Sequence, residues 1–319
     1  MRAYQISKSG GEPALVDIAV PAPAAGEVLI RIAACGLNFA DLLIAKGKYQ
    51  DMPPFPATLG LELAGTVAAL GEGVTGLAAG DRVAVYAGHG GLAEWGCFPA
   101  ARCLPVPDAM TMTEAAGFQI AYGTSHLALD HAARLKPGET LLVTGAAGGV
   151  GLTAVELGRL MGARVIACAR GAQKLEAARA AGAHEVIDSD HPDLRGALKA
   201  MGGAEVVYDT IGGPLFRPCL SACRPGGRYL LIGFAGGEVQ QIPANHLLVK
   251  NISVIGLYWG GYLAFDPATL TGSLAQLMDW HAAGKLRPHV SHVMPLADVA
   301  EAMEILRARR STGKIVITM

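Results

Sequence analysis

Short apolar runs with a two-residue rhythm dominate the first third of the chain. Val28–Ala34, Leu63–Leu70 and Arg82–Tyr86 are such runs, punctuated by Pro21-Ala22-Pro23, Pro53-Pro54 and Gly80-Asp81, so each predicts a strand between turns. The rhythm then changes. Runs at Thr140–Thr144, Arg164–Ala169, Glu185–Ile187, Glu205–Tyr208, Arg228–Ile232 and Ile252–Leu257 alternate with helical or turn segments. Six such runs joined by crossovers predict a parallel, doubly wound sheet. The tail carries a helical pattern over Leu270–Ala283, then a strand, a helix over Ala297–Arg309 and a last strand over Lys314–Thr318. The doubly wound unit is complete by about residue 260, so the tail is expected to join the first third. The predicted division is residues 1–123 with 262–319, and residues 124–261.

The length of 319 residues fits two domains. Lys and Arg total 26 against 27 Asp and Glu, a net charge of −1, which removes the basic footprint expected of a nucleic-acid binder. With 17% charged and 51% hydrophobic residues, the chain is the reverse of a disordered one. The longest charge-free stretch, Thr140–Val155, is short and broken by glycines, so no membrane span is expected. Met1–Gly11 has no apolar run of the signal-peptide kind. The six cysteines form no C-x-x-C pair, which suits reduced thiols in a cytoplasmic protein.

The strongest local signal is Leu141-Leu142-Val143-Thr144-Gly145-Ala146-Ala147-Gly148-Gly149-Val150-Gly151. It reads as a buried strand, a glycine-rich turn and the start of a helix. Its spacing is that of the dinucleotide fingerprint, with Ala146 at the first glycine position. Gly148 lets backbone approach a pyrophosphate, Gly151 lets the helix pack on its strand, and the helix N-terminus favours the anion. The second strand ends at Ala169 without the Asp or Glu that holds an NAD ribose. It offers Arg170 instead, with Lys174 one turn on. A guanidinium beside an ammonium suits a 2′-phosphate, so NADPH is expected over NADH. The competing reading is a solvated Arg170 and an indifferent enzyme.

Further motifs carry a resemblance. They are Gly60-Leu61-Glu62-Leu63-Ala64-Gly65-Thr66-Val67, Leu70-Gly71-x-Gly73-Val74 and Gly80-Asp81-Arg82-Val83, with Gly36-Leu37-Asn38-Phe39-Ala40-Asp41, the Ala146–Gly151 loop and the closing Gly313-Lys314-Ile315-Val316. Together the chain resembles the medium-chain dehydrogenase/reductase superfamily, and within it the zinc-free quinone oxidoreductase group to which zeta-crystallin belongs. Gly256-Leu257-Tyr258-Trp259-Gly260 looks closest to the quinone-oxidoreductase-like members. The resemblance spans essentially the whole chain. It implies a Rossmann domain beside a β-rich GroES-like catalytic domain. Aligned on these motifs, the zinc-ligand positions of the superfamily's alcohol dehydrogenases hold Asn38, Leu61 and Ile120. Leucine and isoleucine cannot coordinate zinc and Asn is a poor ligand. The structural-zinc lobe is missing as well.

What remains is hydride transfer from NADPH to an acceptor that delocalises negative charge onto oxygen, a quinone or a conjugated enone. The resemblance implies that Asn38 donates to the acceptor carbonyl or the nicotinamide ribose. It makes Tyr49 a substrate-site tyrosine able to donate to a developing enolate. Asp41 orients the Asn38 segment. Other quinone reductases carry a tyrosine where this chain has Leu43, which makes its pocket less polar; Tyr258 and Trp259 offer a replacement wall. Expected cofactor residues are Asn38, Thr124, Ala147, Gly148, Gly149, Val150, Gly151, Arg170, Lys174, Ser189, Ile211, Gly233, Phe234, Leu257 and Tyr258. Most lie at carboxyl ends of strands, where doubly wound sheets bind ligands. Two other readings stand: an enoyl-thioester reductase, for which no basic cluster is visible, and a non-catalytic NADPH-binding protein of the crystallin or RNA-binding kind. The resemblance also implies a homodimer joined through the sixth strand.

Overall fold

The alternating runs of the first third do form strands. In the computed structural model, which describes residues 1–319, β1 (Arg2–Ile6), β2 (Ala14–Asp17), β3 (Glu27–Gly36), β4 (Ala57–Thr58), β5 (Glu62–Leu70), β6 (Arg82–Tyr86), β7 (Trp95–Pro99) and β8 (Cys103–Pro105) follow in order. The helices α1 (Phe39–Ala45), α2 (Met112–Ala116) and α3 (Gln119–His126) accompany them. β3 shows why: Val28, Ile30 and Ile32 point into an apolar core with Leu63, Val67, Val83, Val85 and Phe98, while Arg31 between them faces solvent. Strands β1 and β4, with β2, form a small antiparallel sheet that the periodicity did not reveal.

The second rhythm gives β9 (Thr140–Thr144), α4 (Gly149–Leu160), β10 (Arg164–Ala169), α5 (Ala172–Ala180), β11 (Glu185–Asp188), α6 (Leu194–Ala200), β12 (Ala204–Asp209), α7 (Phe216–Ala222), β13 (Cys223–Leu231), α8 (Ala244–Lys250), β14 (Ser253–Gly256), α9 (Tyr262–Phe265) and α10 (Pro267–Ala282). The six strands are all parallel, in the order β11-β10-β9-β12-β13-β14. The order reverses between β9 and β12, the switch point at which such sheets take ligands. Every residue of β9 is buried, as a central parallel strand requires.

The chain closes with β15 (Val290–Pro295), α11 (Val299–Arg307) and β16 (Lys314–Thr318). These strands return to the first sheet, whose order is β15-β16-β3-β5-β6-β8 with β7 on β3. The molecule thus has two units, Met1–Ile120 with Pro288–Met319, and Ala121–Arg287. The predicted boundary at residue 262 differs from this one because α10 packs within the second unit. Leu270, Leu274 and Leu277 are buried, His126 Nδ1 lies 2.8 Å from Ser273 Oγ, and the His126 ring meets Trp280 edge-on. The helix starts where its sequence dictates, with the Asp266 side chain accepting from the Thr269 N–H and Pro267 at the first turn.

Candidate active site

In the second unit, β9 delivers Thr144 to a turn whose shape only glycine permits. Gly145 has φ +59°, and a Cβ there would lie 2.4 Å from Thr210 Oγ1. A Cβ on Gly151 would lie 2.1 Å from the Gly145 carbonyl oxygen, so α4 is seated directly on the turn. Gly148 is the exposed tip and the N-cap of α4, and no side chain caps the helix. The first N–H groups of a twelve-residue helix therefore face the switch point with glycine backbone around them. Ala147, Gly149 and Val150 belong to this same turn. The loop fits a dinucleotide pyrophosphate.

Buried side chains that sequence reasoning missed brace the loop. Asp209 is fully buried at the end of β12 and accepts from Thr144 Oγ1 at 2.5 Å, Tyr229 Oη at 2.7 Å, and the Ile211 and Gly212 N–H groups at 3.0 Å. Ser125 bonds the Val150 carbonyl, Thr153 Oγ1 and Tyr208 Oη, which sets α3 and its neighbouring residue Thr124 against the start of α4. The remaining expected contacts gather on this edge. Gly233 N–H donates to the Asp209 carbonyl, Ala235 to Thr210 and Gly236 to Ile211, so Ile211, Gly233 and Phe234 share one pair of facing turns. Leu257 N–H donates to the Leu231 carbonyl, leaving Tyr258 exposed just beyond β14. Ser189 N–H donates to the Ala169 carbonyl, one residue before Arg170.

Arg170 is not alone. Its Nε pairs with Asp190, while the side chain stays two-thirds exposed, and Asp188 accepts from the Gly171 N–H. Lys174 sits in the first turn of α5, half-buried. The acidic residue that β10 lacks is thus supplied from beyond β11, as a partner of the arginine.

In the first unit, Asn38 ends the β3 segment and caps α1. Asp41 Oδ2 accepts from the Asn38 N–H at 2.8 Å, and Asp41 Oδ1 from the Gly60 N–H at 3.0 Å. Gly60 has φ +96°, and a Cβ there would meet Leu92 N at 2.6 Å. Burial pushes the Asp41 carboxyl up to about 7, against the opposing pull of those N–H groups and of Lys314. The same burial pushes the Cys35 thiol up.

The Asn38 amide is committed. Nδ2 donates to the Gly36 carbonyl at 3.1 Å and to Glu62 Oε1 at 3.0 Å, and Oδ1 accepts from Lys314 Nζ at 2.8 Å. This corrects the expectation of a donating amide: both N–H bonds are used, and the open capacity is a lone pair on Oδ1. Tyr49 lies half-buried just past the Lys46 C-cap of α1. The two charges at the centre, Glu62 and Lys314, had no role in the sequence reading; the available signal was a lone charge flanked by apolar residues. The zinc-ligand positions do not fit a zinc ion. Leu61 offers no donor atom, Ile120 offers only its backbone N–H to Glu62 Oε2, and the Asn38 oxygen already faces an ammonium.

Two family models match, "Alcohol dehydrogenase GroES-like domain" over residues 24–108 and "Zinc-binding dehydrogenase" over residues 149–280. A sea-anemone (Nematostella vectensis) protein named quinone oxidoreductase-like protein 2 homolog is 39% identical over 96% of this chain and 86% of its own. Among solved structures, the quinone oxidoreductase of Thermus thermophilus, also solved with NADPH, matches with TM-score 0.89 and 34% identity over 100% of both chains. The Escherichia coli quinone oxidoreductase with NADPH matches with TM-score 0.92 and 29% identity, again over 100% of both.

Proposed function

Because the chain belongs to the zinc-free quinone oxidoreductase group of the medium-chain dehydrogenase/reductase superfamily, we propose that it is an NADPH-dependent, zinc-independent reductase of quinones or other conjugated carbonyls. The observation that carries this is the uncapped glycine turn at the β9/β12 switch point. Bound NADPH supplies hydride from its dihydronicotinamide ring. Gly148, Gly149, Val150 and Gly151 would hold its pyrophosphate through backbone N–H groups. Arg170 and Lys174 would hold its 2′-phosphate, and Ala147 and Ser189 would lie along its path. Thr124, Ile211, Gly233, Phe234, Leu257 and Tyr258 would line the nicotinamide half.

In the GroES-like unit, Asn38 would accept from a hydroxyl, Asp41 would hold the Asn38 backbone, and Tyr49 would donate a proton to the reduced acceptor. A quinone or enone needs no Lewis acid, since its own conjugation takes up the charge. That suits a site whose donor set does not suit zinc. No helix is long and apolar enough to cross a membrane. We place the protein in the cytoplasm, as a homodimer joined along β14. That strand has a partner only on its β13 side, and Leu248 and Val249 of the nearby α8 are 78% and 76% exposed. A monomer in sedimentation at micromolar concentration would remove the dimer.

The test is NADPH oxidation with benzoquinone, phenanthrenequinone, an enal and crotonyl-CoA in parallel, with NADH and no-enzyme controls. Turnover with the quinones or the enal supports the reading. Turnover with the thioester alone moves the protein to enoyl-thioester reduction. Tight NADPH binding with no turnover makes it a binding protein.

A further inference from the structure

The place proposed for the 2′-phosphate holds as much negative charge as positive. Arg170 follows β10 and Lys174 lies in the first turn of α5, while Asp188 ends β11 and Asp190 follows two residues on. All four belong to the second unit. β10 and β11 are parallel neighbours, with Ala169 beside Asp188, so the two turns leave the sheet side by side. Asp188 clasps them together. Its Oδ2 accepts from the Gly171 N–H at 3.0 Å and its Oδ1 from the Asp190 N–H at 2.9 Å. The Asp190 N–H first, then the Gly171 N–H and the Arg170 charge, hold the Asp188 carboxyl below its usual range.

The clasp keeps Asp190 against Arg170. Arg170 Nε lies 3.1 Å from Asp190 Oδ1 and 3.0 Å from Oδ2, with the two side chains 67% and 60% exposed. The carboxylate thus meets the single Nε–H, not the two-nitrogen fork that grips a phosphate. A 2′-phosphate can take the fork with Asp190 still in place, and two anions then share one guanidinium. A ribose 2′-hydroxyl brings no charge and meets no such opposition. Exposed ion pairs are weak, so the opposition trims the preference for the phosphate without abolishing it.

We propose that Asp190 is a specificity-determining residue: it sets a counter-anion on the arginine of the 2′-phosphate site, so that NADH is accepted beside NADPH. This rests on the proposed function, which gives Arg170 to the 2′-phosphate. Asp190 acts on the phosphate through Arg170, and Asp188 positions Asp190.

The test uses the full chain and two probes that carry only the adenosine end of the cofactor, adenosine 2′,5′-bisphosphate and 5′-AMP. Dissociation constants come from calorimetry, with melting temperatures recorded alongside. Asp190→Asn keeps the backbone N–H that Asp188 accepts. It should tighten the bisphosphate about threefold to fivefold, the worth of an exposed ion pair, and 5′-AMP less than about twofold. Asp190→Ala should act in the same direction. In an Arg170→Ala background, Asp190→Asn should change the bisphosphate less than about twofold, because the group that carries the effect is gone. The wild type should bind NADH no more than about tenfold more weakly than NADPH, and Asp190→Asn should widen that gap. A weaker bisphosphate in Asp190→Asn would make the carboxylate an aid to the arginine and overturn the proposal. Equal tightening of both probes, or tightening that survives Arg170→Ala, overturns it as well. A wild type that prefers the bisphosphate and is indifferent to Asp190→Asn overturns the proposal and leaves the proposed function standing. A wild type that binds neither NADPH nor the bisphosphate overturns both.

Discussion

Replacing Gly151 with alanine should damage cofactor binding and stability together, whereas replacing Gly148 should damage binding alone. The added methyl on residue 151 would lie 2.1 Å from the Gly145 oxygen, 2.8 Å from its carbonyl carbon and 2.9 Å from Ala146 Cα. All three are backbone atoms, and ordinary contact begins at 3.4 Å, so the turn must open by more than about 1 Å. Such overpacking costs about 1–3 kcal/mol, or roughly 2 to 10 °C in Tm for a unit of this size. An opened turn no longer aims its N–H groups at one point. Losing one charge-assisted bond of about 1.5–3 kcal/mol weakens NADPH about 10- to 100-fold. At Gly148 the nearest atom to an added Cβ is the Gly145 oxygen at 3.3 Å, and φ is −79°. The fold should accept it within about 0.5 kcal/mol. The methyl nevertheless stands at the exposed tip, and NADPH should weaken about tenfold. The assays are fluorescence titration with NADPH and thermal denaturation without it. Gly151→Ala with wild-type affinity and Tm would refute the seating argument. Gly148→Ala as unstable as Gly151→Ala would refute the distinction.

Arg170→Ala should raise the KM for NADPH about tenfold and leave that for NADH nearly unchanged, since only the former carries the 2′-phosphate. Asp190→Asn should act in the opposite sense, improving NADPH over NADH several-fold by releasing the guanidinium; a loss of preference would contradict this. Asp41 has a folded pKa of about 7, raised by burial. A raised carboxyl binds its proton more readily folded than unfolded. Its contribution is therefore complete below about pH 4 and lost as pH rises through about 7, an effect of about 4 kcal/mol at most. The stability of the wild type minus that of Asp41→Asn, from urea unfolding at several pH values, should fall over this window. A flat difference would mean that Asp41 stays ionised throughout.

Much of this was legible from residue order, for physical reasons that can be named. β3 shows its alternation because one face packs on the core and the other meets water. The β9 run announces itself because a central parallel strand is apolar on both faces. β1 and β4 were not visible: β1 pairs with β2 on one side, and β4, only two residues long, forms against its other side from far along the chain. The phosphate turn was readable because its glycines answer local constraints. The Lys314–Glu62 pair was not, since its members lie 252 residues apart and nothing in either segment names the other. The Asn38 donor expectation failed for the same reason: the ammonium that claims its oxygen comes from the last strand. The Asp190 partner of Arg170 was not legible because it reaches the guanidinium from the turn after the next strand.

We propose that hydride transfer from NADPH needs no metal in this protein, because the zinc-ligand positions hold Asn38, Leu61 and Ile120. The direct measurement is the rate of NADPH oxidation by phenanthrenequinone before and after exhaustive dialysis against a chelator, with bound metal quantified in the same samples. The expected result is an unchanged rate at far less than one metal per chain. A rate that disappears on dialysis and returns with added zinc would contradict it.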